Sequence, residues 1–342
     1  MVNVLVTGAY GFIGSALVRR LMALNEYKVV ALDKMGYASS VHSIGDYISY
    51  PNFSSVTHDL GVKGGLLSIL HEFEPDCVLH LAAESHVDNS INSPEVFVHS
   101  NILGTFNLLE AWREYDKSLS KKFIHVSTDE VFGELLSVDK PFDEASNYRP
   151  NSPYSASKAA SDHLVRAWHK TYQIQSIITN CSNNFGPFQS PEKFIPKVIT
   201  SALLGQSIPV YGNGKQIRDW LYVDDHVSAL ILLLEKGRVG ESYVISAEEC
   251  VDNLSLAQKI CNVLDIFLPD HSNKSFSELI TFVSDRPGHD FKYALDPTKI
   301  KADVKWTPNY DLDVGLSETI SWYIENSDWW RSQLKLIKNN PK

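Results

Sequence analysis

The segment Val2-Asn3-Val4-Leu5-Val6 runs into Thr7-Gly8-Ala9-Tyr10-Gly11-Phe12-Ile13-Gly14 and then into a helix-like stretch from Ser15 to Leu24. A second apolar strand pattern, Lys28 to Leu32, follows and ends in Asp33, nineteen residues beyond Gly14. Few chains can satisfy that order except as a β-α-β unit. Glycines at 8, 11 and 14 let the strand-to-helix turn approach a pyrophosphate closely, and the helix start offers oriented N–H donors. An acid at the end of the second strand can bind both ribose hydroxyls and repel a 2′-phosphate, so the expected cofactor is NAD rather than NADP.

Further units repeat the pattern. Val56 to Leu60 reads as a strand closing on Asp59 and Leu60, Gly65 to Glu72 as a helix, and Cys77 to Ala83 as the next strand, with Ala82 and Ala83 small enough at its end for a cofactor to lie against it. Alternation at this pitch predicts an α/β fold, a doubly wound parallel Rossmann sheet. A polar run, Glu84-Ser85-His86-Val87-Asp88-Asn89-Ser90, follows the strand, and a helix is expected from Asn101 to Arg113, packing on the sheet or on a partner subunit.

With 342 residues the chain is long enough for one large or two closely joined domains, and its 44% hydrophobic and 21% charged residues are those of a soluble globular protein. A formal net charge of -10 argues against a general nucleic-acid or anionic-membrane binder. The longest apolar run, Ala229 to Leu234, is too short to span a bilayer, and the first residues read as a strand, not a secretory signal. Cys77, Cys181, Cys250 and Cys261 lack metal or redox spacing, which suggests a buried, reduced set and a cytoplasmic protein.

The chemistry is expected around His125-Val126-Ser127-Thr128-Asp129-Glu130-Val131-Phe132-Gly133. Thr128, Asp129 and Glu130 would sit just past the carboxyl end of a central strand, where open α/β sheets hold ligands. Two adjacent acids can divide acid and base work if their surroundings separate their pKa values. Downstream, Pro150-Asn151-Ser152-Pro153 breaks the chain before a helix from Tyr154 to about Tyr172. Tyr154 and Lys158 lie one turn apart on it; an ammonium and a positive nicotinamide ring would lower a phenol pKa that is ~10 in water.

The glycine spacing resembles the extended short-chain dehydrogenase/reductases. Six blocks in order then resemble the nucleotide-sugar 4,6-dehydratases, most closely those acting on dTDP-glucose: Leu81 to Asp88, Ser127 to Gly133, Tyr154 to Lys158, Thr179 to Pro187, Ile217 to His226 and Asp285 to His289. That resemblance implies oxidation at C4 of a nucleoside-diphosphate-glucose, loss of water across C5 and C6, and hydride return to C6. It implies Tyr154 as the base at O4, Glu130 as the base at C5, Asp129 as the acid at O6, Thr128 as a hydrogen-bond partner of O4 and Lys158 on the cofactor ribose. NAD would then be regenerated at each turnover and held as a prosthetic group. It places Gly8, Gly11, Phe12, Ile13, Gly14, Asp33, Lys34, Asp59, Leu60, Leu81, Ala82, Ala83, Ser85 and Ser100 at the cofactor.

For the substrate, Arg218 and Arg286 are the phosphate candidates, since guanidinium forks match phosphate oxygens. Lys193 can face a pyrophosphate at the start of a helix, shared with Phe194, that runs to Leu204. Pro209 and Tyr211 offer a strand edge for a nucleobase. Ser85, His86, Asn253 and His289 join by resemblance, as do Asn183 at the sugar diphosphate and Asn184 at the cofactor, although two asparagines holding a turn is an equal reading. Gly36 before Tyr37, Ser100 for threonine and Phe132 for tyrosine depart from the family pattern. The expected domains are 1–180, with 215–245 returning to it, for NAD, and 181–342 mainly for the nucleotide sugar, as a smaller α/β domain. A homodimer is what the family implies. The rivals are a nucleotide-sugar 4-epimerase and a non-catalytic NAD-binding sensor; Asp129-Glu130 separates the first, Tyr154 and Lys158 the second.

Overall fold

The structure, a computed structural model, describes residues 1–136, 139–269, 274–285 and 287–339. Arg286 lies outside these residues.

Twelve strands are present among the described residues: β1 (Val2–Thr7), β2 (Tyr27–Asp33), β3 (Phe53–Thr57), β4 (Cys77–His80), β5 (Lys122–Thr128), β6 (Gln175–Cys181), β7 (Asn183–Phe185), β8 (Ile208–Tyr211), β9 (Ile217–Tyr222), β10 (Ser242–Ile245), β11 (Cys250–Asp252) and β12 (Ile280–Val283). Seven pair in parallel in the order β10-β6-β5-β4-β1-β2-β3. The winding reverses between β1 and β4, which leaves a crevice at their carboxyl ends. Val4, Val6, Val29, Leu79, Ile124 and Ile177 are all buried, because helices cover both faces of such a sheet. The Rossmann sheet expected from the alternating pattern is therefore present.

A second core joins Phe185, Ile199, Trp220, Leu256, Ile260 and Ile320 around the smaller sheets, β11-β9-β7 and β12-β8. The final helix, Ser327–Asn339, buries Trp330, while Trp329 meets Phe188 and Trp322 edge-on. The tail aromatics thus pack on the body of the protein.

Three expectations shift. The third strand ends at Thr57 and the fourth at His80, so Asp59, Leu60 and Leu81 to Ala83 lie in the loops beyond them. The helix expected from Asn101 begins at Pro94 and widens to a π-turn over Val98–Leu103 before continuing as Gly104–Tyr115. That widening seats Asn101, whose side chain accepts the Glu84 amide at 2.8 Å and donates to Ser157 Oγ at 2.8 Å. Lastly, Cys77, Cys181 and Cys261 are buried, but Cys250 is exposed because β11 is an edge strand.

Candidate active site

At the carboxyl edge of the large sheet lies a cleft of about 320 Å³. Its floor is the glycine turn. Gly8 has φ +67°, and a Cβ there would come within 2.8 Å of the Ala82 backbone. A Cβ on Gly14 would overlap the Gly8 carbonyl. The helix Phe12–Leu24 begins at Gly11 with no side-chain cap, leaving its first amides directed into the cleft for an anion. Asp33, at the end of β2, accepts Tyr10 N at 3.0 Å, Met35 N at 2.8 Å and Ser39 Oγ at 2.8 Å, which fixes the carboxylate in the wall. Lys34 donates to Glu84 at 2.7 Å and to Ser100 Oγ at 3.0 Å. A bare helix start facing a close backbone approach, with a fixed acid beyond it, suits a dinucleotide.

The opposite wall comes from β5 and the helix after it. Thr128 ends β5, and its hydroxyl accepts Glu130 N at 3.3 Å as the cap of a short 3-10 turn, Asp129–Phe132. Ser152 and Ser155 form a reciprocal capping box with Pro153 in the first turn of the helix Pro153–Tyr172, which fixes where Tyr154 and Lys158 emerge. Asp129 is 1% exposed. Burial, and then the charge of Glu130, hold its carboxyl well above the ordinary range, against weaker opposing influences from Thr128 and Arg218. Asp129 therefore keeps its proton more readily than a free carboxyl, the direction an acid at O6 would need.

Tyr154 behaves differently from expectation. Burial, followed by the charge of Glu130, pushes its phenol well above the ordinary value, and a hydrogen bond with Thr128 only partly opposes this. Lys158 turns its amine to the Val126 carbonyl at 2.9 Å. Desolvation of the phenolate outweighs the help expected from the neighbouring ammonium.

All of the expected cofactor residues line this cleft, as do Thr128, Asp129, Glu130, Tyr154 and Lys158. So do Ser85, Asn183 and Lys193 of the expected substrate set. Asn183 Oδ1 is buried without a hydrogen-bond partner among the described residues. Asn184 is held in its turn by donating to Ser182 O at 2.9 Å, with its Oδ1 2.9 Å from His226 Nδ1. Lys193 donates to Ser85 O at 2.7 Å.

Other expected residues stand apart from the cleft wall. His86 caps a short helix with Nε2 3.8 Å from Glu192. Phe194 stacks near Trp220, and Asn253 N bonds Gln216 O at 3.0 Å. Tyr211, next to Pro209 on β8, meets His289 edge-on at 6.1 Å, and His289 lies 2.6 Å from Asp285. Arg218 is nearly buried; it donates to Asp290 O at 2.9 Å and lies 4.4 Å over the Tyr293 ring.

Glu192 and Gln189 also line the cleft but were not singled out in the sequence. The only signal for Glu192 was its place beside Lys193. Tyr37, which follows the departure at Gly36, donates to it at 2.9 Å. Phe132 lies against Phe142 and Tyr148 in an apolar cluster, so it needs no hydroxyl. Among the described residues no group of His, Cys, Asp and Glu could hold a metal ion.

Sheet, glycine turn and Tyr-Lys helix together define an extended short-chain dehydrogenase/reductase fold. Solved structures agree: the dTDP-glucose 4,6-dehydratase of Bacillus anthracis, in complex with NAD, is 37% identical, with a TM-score of 0.86 over 97% of this chain and 100% of its own. The one from Streptomyces venezuelae, also with NAD, gives 37% and 0.90 over 97% and 99%. A Thermus thermophilus UDP-glucose 4-epimerase complex with NAD is 26% identical with a TM-score of 0.84 over 95% and 99%. The chain belongs to the 4,6-dehydratase family described as GDP-mannose 4,6 dehydratase, whose sequence model matches residues 5–319. Among its relatives, the dTDP-glucose 4,6-dehydratase of Neisseria meningitidis serogroup B is 46% identical over 98% of this chain and 96% of its own.

Proposed function

We propose that the chain is a lyase that converts dTDP-glucose to its 4-keto-6-deoxy product with NAD. The observation that carries this reading is the Asp129-Glu130 pair, one carboxyl buried where its surroundings favour the protonated form, the other lining the same cleft as Tyr154. A 4-epimerase would have no use for both acids. NAD, when bound, supplies the hydride acceptor for C4, the donor for C6 and a positive ring that favours the Tyr154 phenolate.

Tyr154 takes the proton from O4 while Thr128 holds that oxygen. The C4 ketone acidifies the C5 proton, and Glu130 removes it. Asp129 gives its proton to O6, so that water rather than hydroxide departs. Lys158 binds the cofactor ribose. Asn183 and Lys193, with Arg218 and Arg286, hold the diphosphate, with Ser85 and His86 at the sugar; Asn253, Phe194, Pro209, Tyr211 and His289 form the nucleotide end.

The cofactor half is residues 1–180 with 215–245, and the nucleotide-sugar half is mainly 181–342. The enzyme is a cytoplasmic homodimer. Exposed Val96, Val98 and Leu103 on the helical stretch that begins at Pro94 support a partner copy there. Among the described residues, no helix is long and apolar enough to cross a membrane.

The test is to incubate the purified protein with dTDP-glucose and look for the alkali-induced chromophore of the 4-keto sugar, with UDP- and CDP-glucose alongside. Activity on dTDP-glucose is expected to lead. No chromophore with any of the three would overturn the reading.

A further inference from the structure

Tyr154, Lys158, Asp162 and Arg166 are spaced four apart on the helix Pro153–Tyr172 and so form one stripe along it. Tyr154 and Lys158 line the cleft. Asp162 sits one turn deeper with 0% exposure, and the reaction above gives it no task. A buried carboxylate is costly unless its surroundings compensate it.

The compensation comes from several elements. Tyr148 donates its hydroxyl to Asp162 Oδ2 at 2.8 Å, and Asn180 of β6 donates to the same oxygen at 3.2 Å. His125 of β5 brings Nε2 to 3.2 Å from Oδ1. That imidazole is neutral, since burial and then the Lys158 charge push it down to about 4. Lys158, buried one turn away on the same helix, is the cation whose charge reaches Asp162. Burial would raise the Asp162 carboxyl, yet His125 and the Lys158 charge hold it below its ordinary value. Burial lowers the Lys158 ammonium, and Asp162 opposes that fall. Asn180 also donates to Thr128 O at 3.1 Å, so the same carboxylate reaches the strand end that carries Thr128, Asp129 and Glu130.

We propose that Asp162 is a positioning residue for the dehydration: through Asn180 and Thr128, its carboxylate ties the strand end bearing the two acids to the helix bearing Tyr154 and Lys158. This rests on the dehydratase reading. The other ionisable groups near Lys158 and Tyr154 are His80, His125, Asp129, Glu130 and Cys181, with Tyr148 and Arg166 behind Asp162.

The test is Asp162→Asn, which keeps the shape and removes the charge, assayed as the holoenzyme on dTDP-glucose across pH. The expected result is a kcat at least about 10-fold lower with little change in KM, and an alkaline limb moved down by about one pH unit as the ammonium loses its counter-charge. A limb that stays where it is in the wild type overturns the proposal. If the variant does not fold, Lys158→Gln combined with Asp162→Asn leaves no unpaired charge and is expected to restore cooperative melting. A double variant that also fails to fold overturns the proposal. A wild type inactive on all three nucleotide-glucoses overturns the parent reading instead, and the melting comparison still reads the coupling of 158 and 162.

Discussion

Thr128 donates its hydroxyl to Oδ1 of Asp129 at 3.1 Å, while Oδ2 of the same carboxyl is buried with no hydrogen-bond partner among the described residues. An acid placed this way has one oxygen anchored and one kept for the reaction. Asp129→Asn keeps the anchor and loses the proton. We expect kcat to fall by about 10²- to 10⁴-fold, with the 4-keto-glucose nucleotide accumulating on the enzyme, as quenched mass spectrometry would show.

Glu130→Gln separates the next step. The C5 proton should no longer exchange with solvent, and turnover should fall by about 10²- to 10⁴-fold. Deuterium at C5 that still washes out in this variant would exclude Glu130 as the base.

The same Asp129 links stability to pH. Its folded pKa is raised above the ordinary 3.8, so its contribution is fully present below that value and is lost as pH rises through the folded pKa. Asp129→Asn, which cannot ionise, should therefore melt above the wild type, and the gap should widen from mildly acidic to neutral pH. A rise of about 2 °C or more at neutral pH is expected by thermal denaturation.

Gly14 packs so tightly on the Gly8 carbonyl that a methyl has no room. Gly14→Ala should cost about 1–3 kcal/mol in stability and most of the bound NAD, measured by denaturant melts and by cofactor content after purification.

The exposed Val98 and Leu103 are the test of assembly. Val98→Asp with Leu103→Asp should shift light scattering from dimer to monomer and leave the circular dichroism spectrum unchanged.

The parallel sheet and the cofactor wall could be read from the chain because their signals are local: glycines at fixed offsets, an acid at a strand end, a Tyr and a Lys one turn apart. What could not be read was which influence wins when several charges share a dry interior. Lys158 turns to the Val126 carbonyl, and burial governs Tyr154. Asp162 was passed over because its partners His125, Tyr148 and Asn180 meet it only after the strands pair. The π-turn at Val98–Leu103 left no periodic signal, since one widened turn does not disturb the helical pattern around it.

Two hydrogen bonds join residues that line the cleft, Tyr37 to Glu192 at 2.9 Å and Lys193 to Ser85 at 2.7 Å. Under the proposed reaction the hydride taken from C4 returns to C6, so each turnover restores the cofactor and draws on no outside reductant.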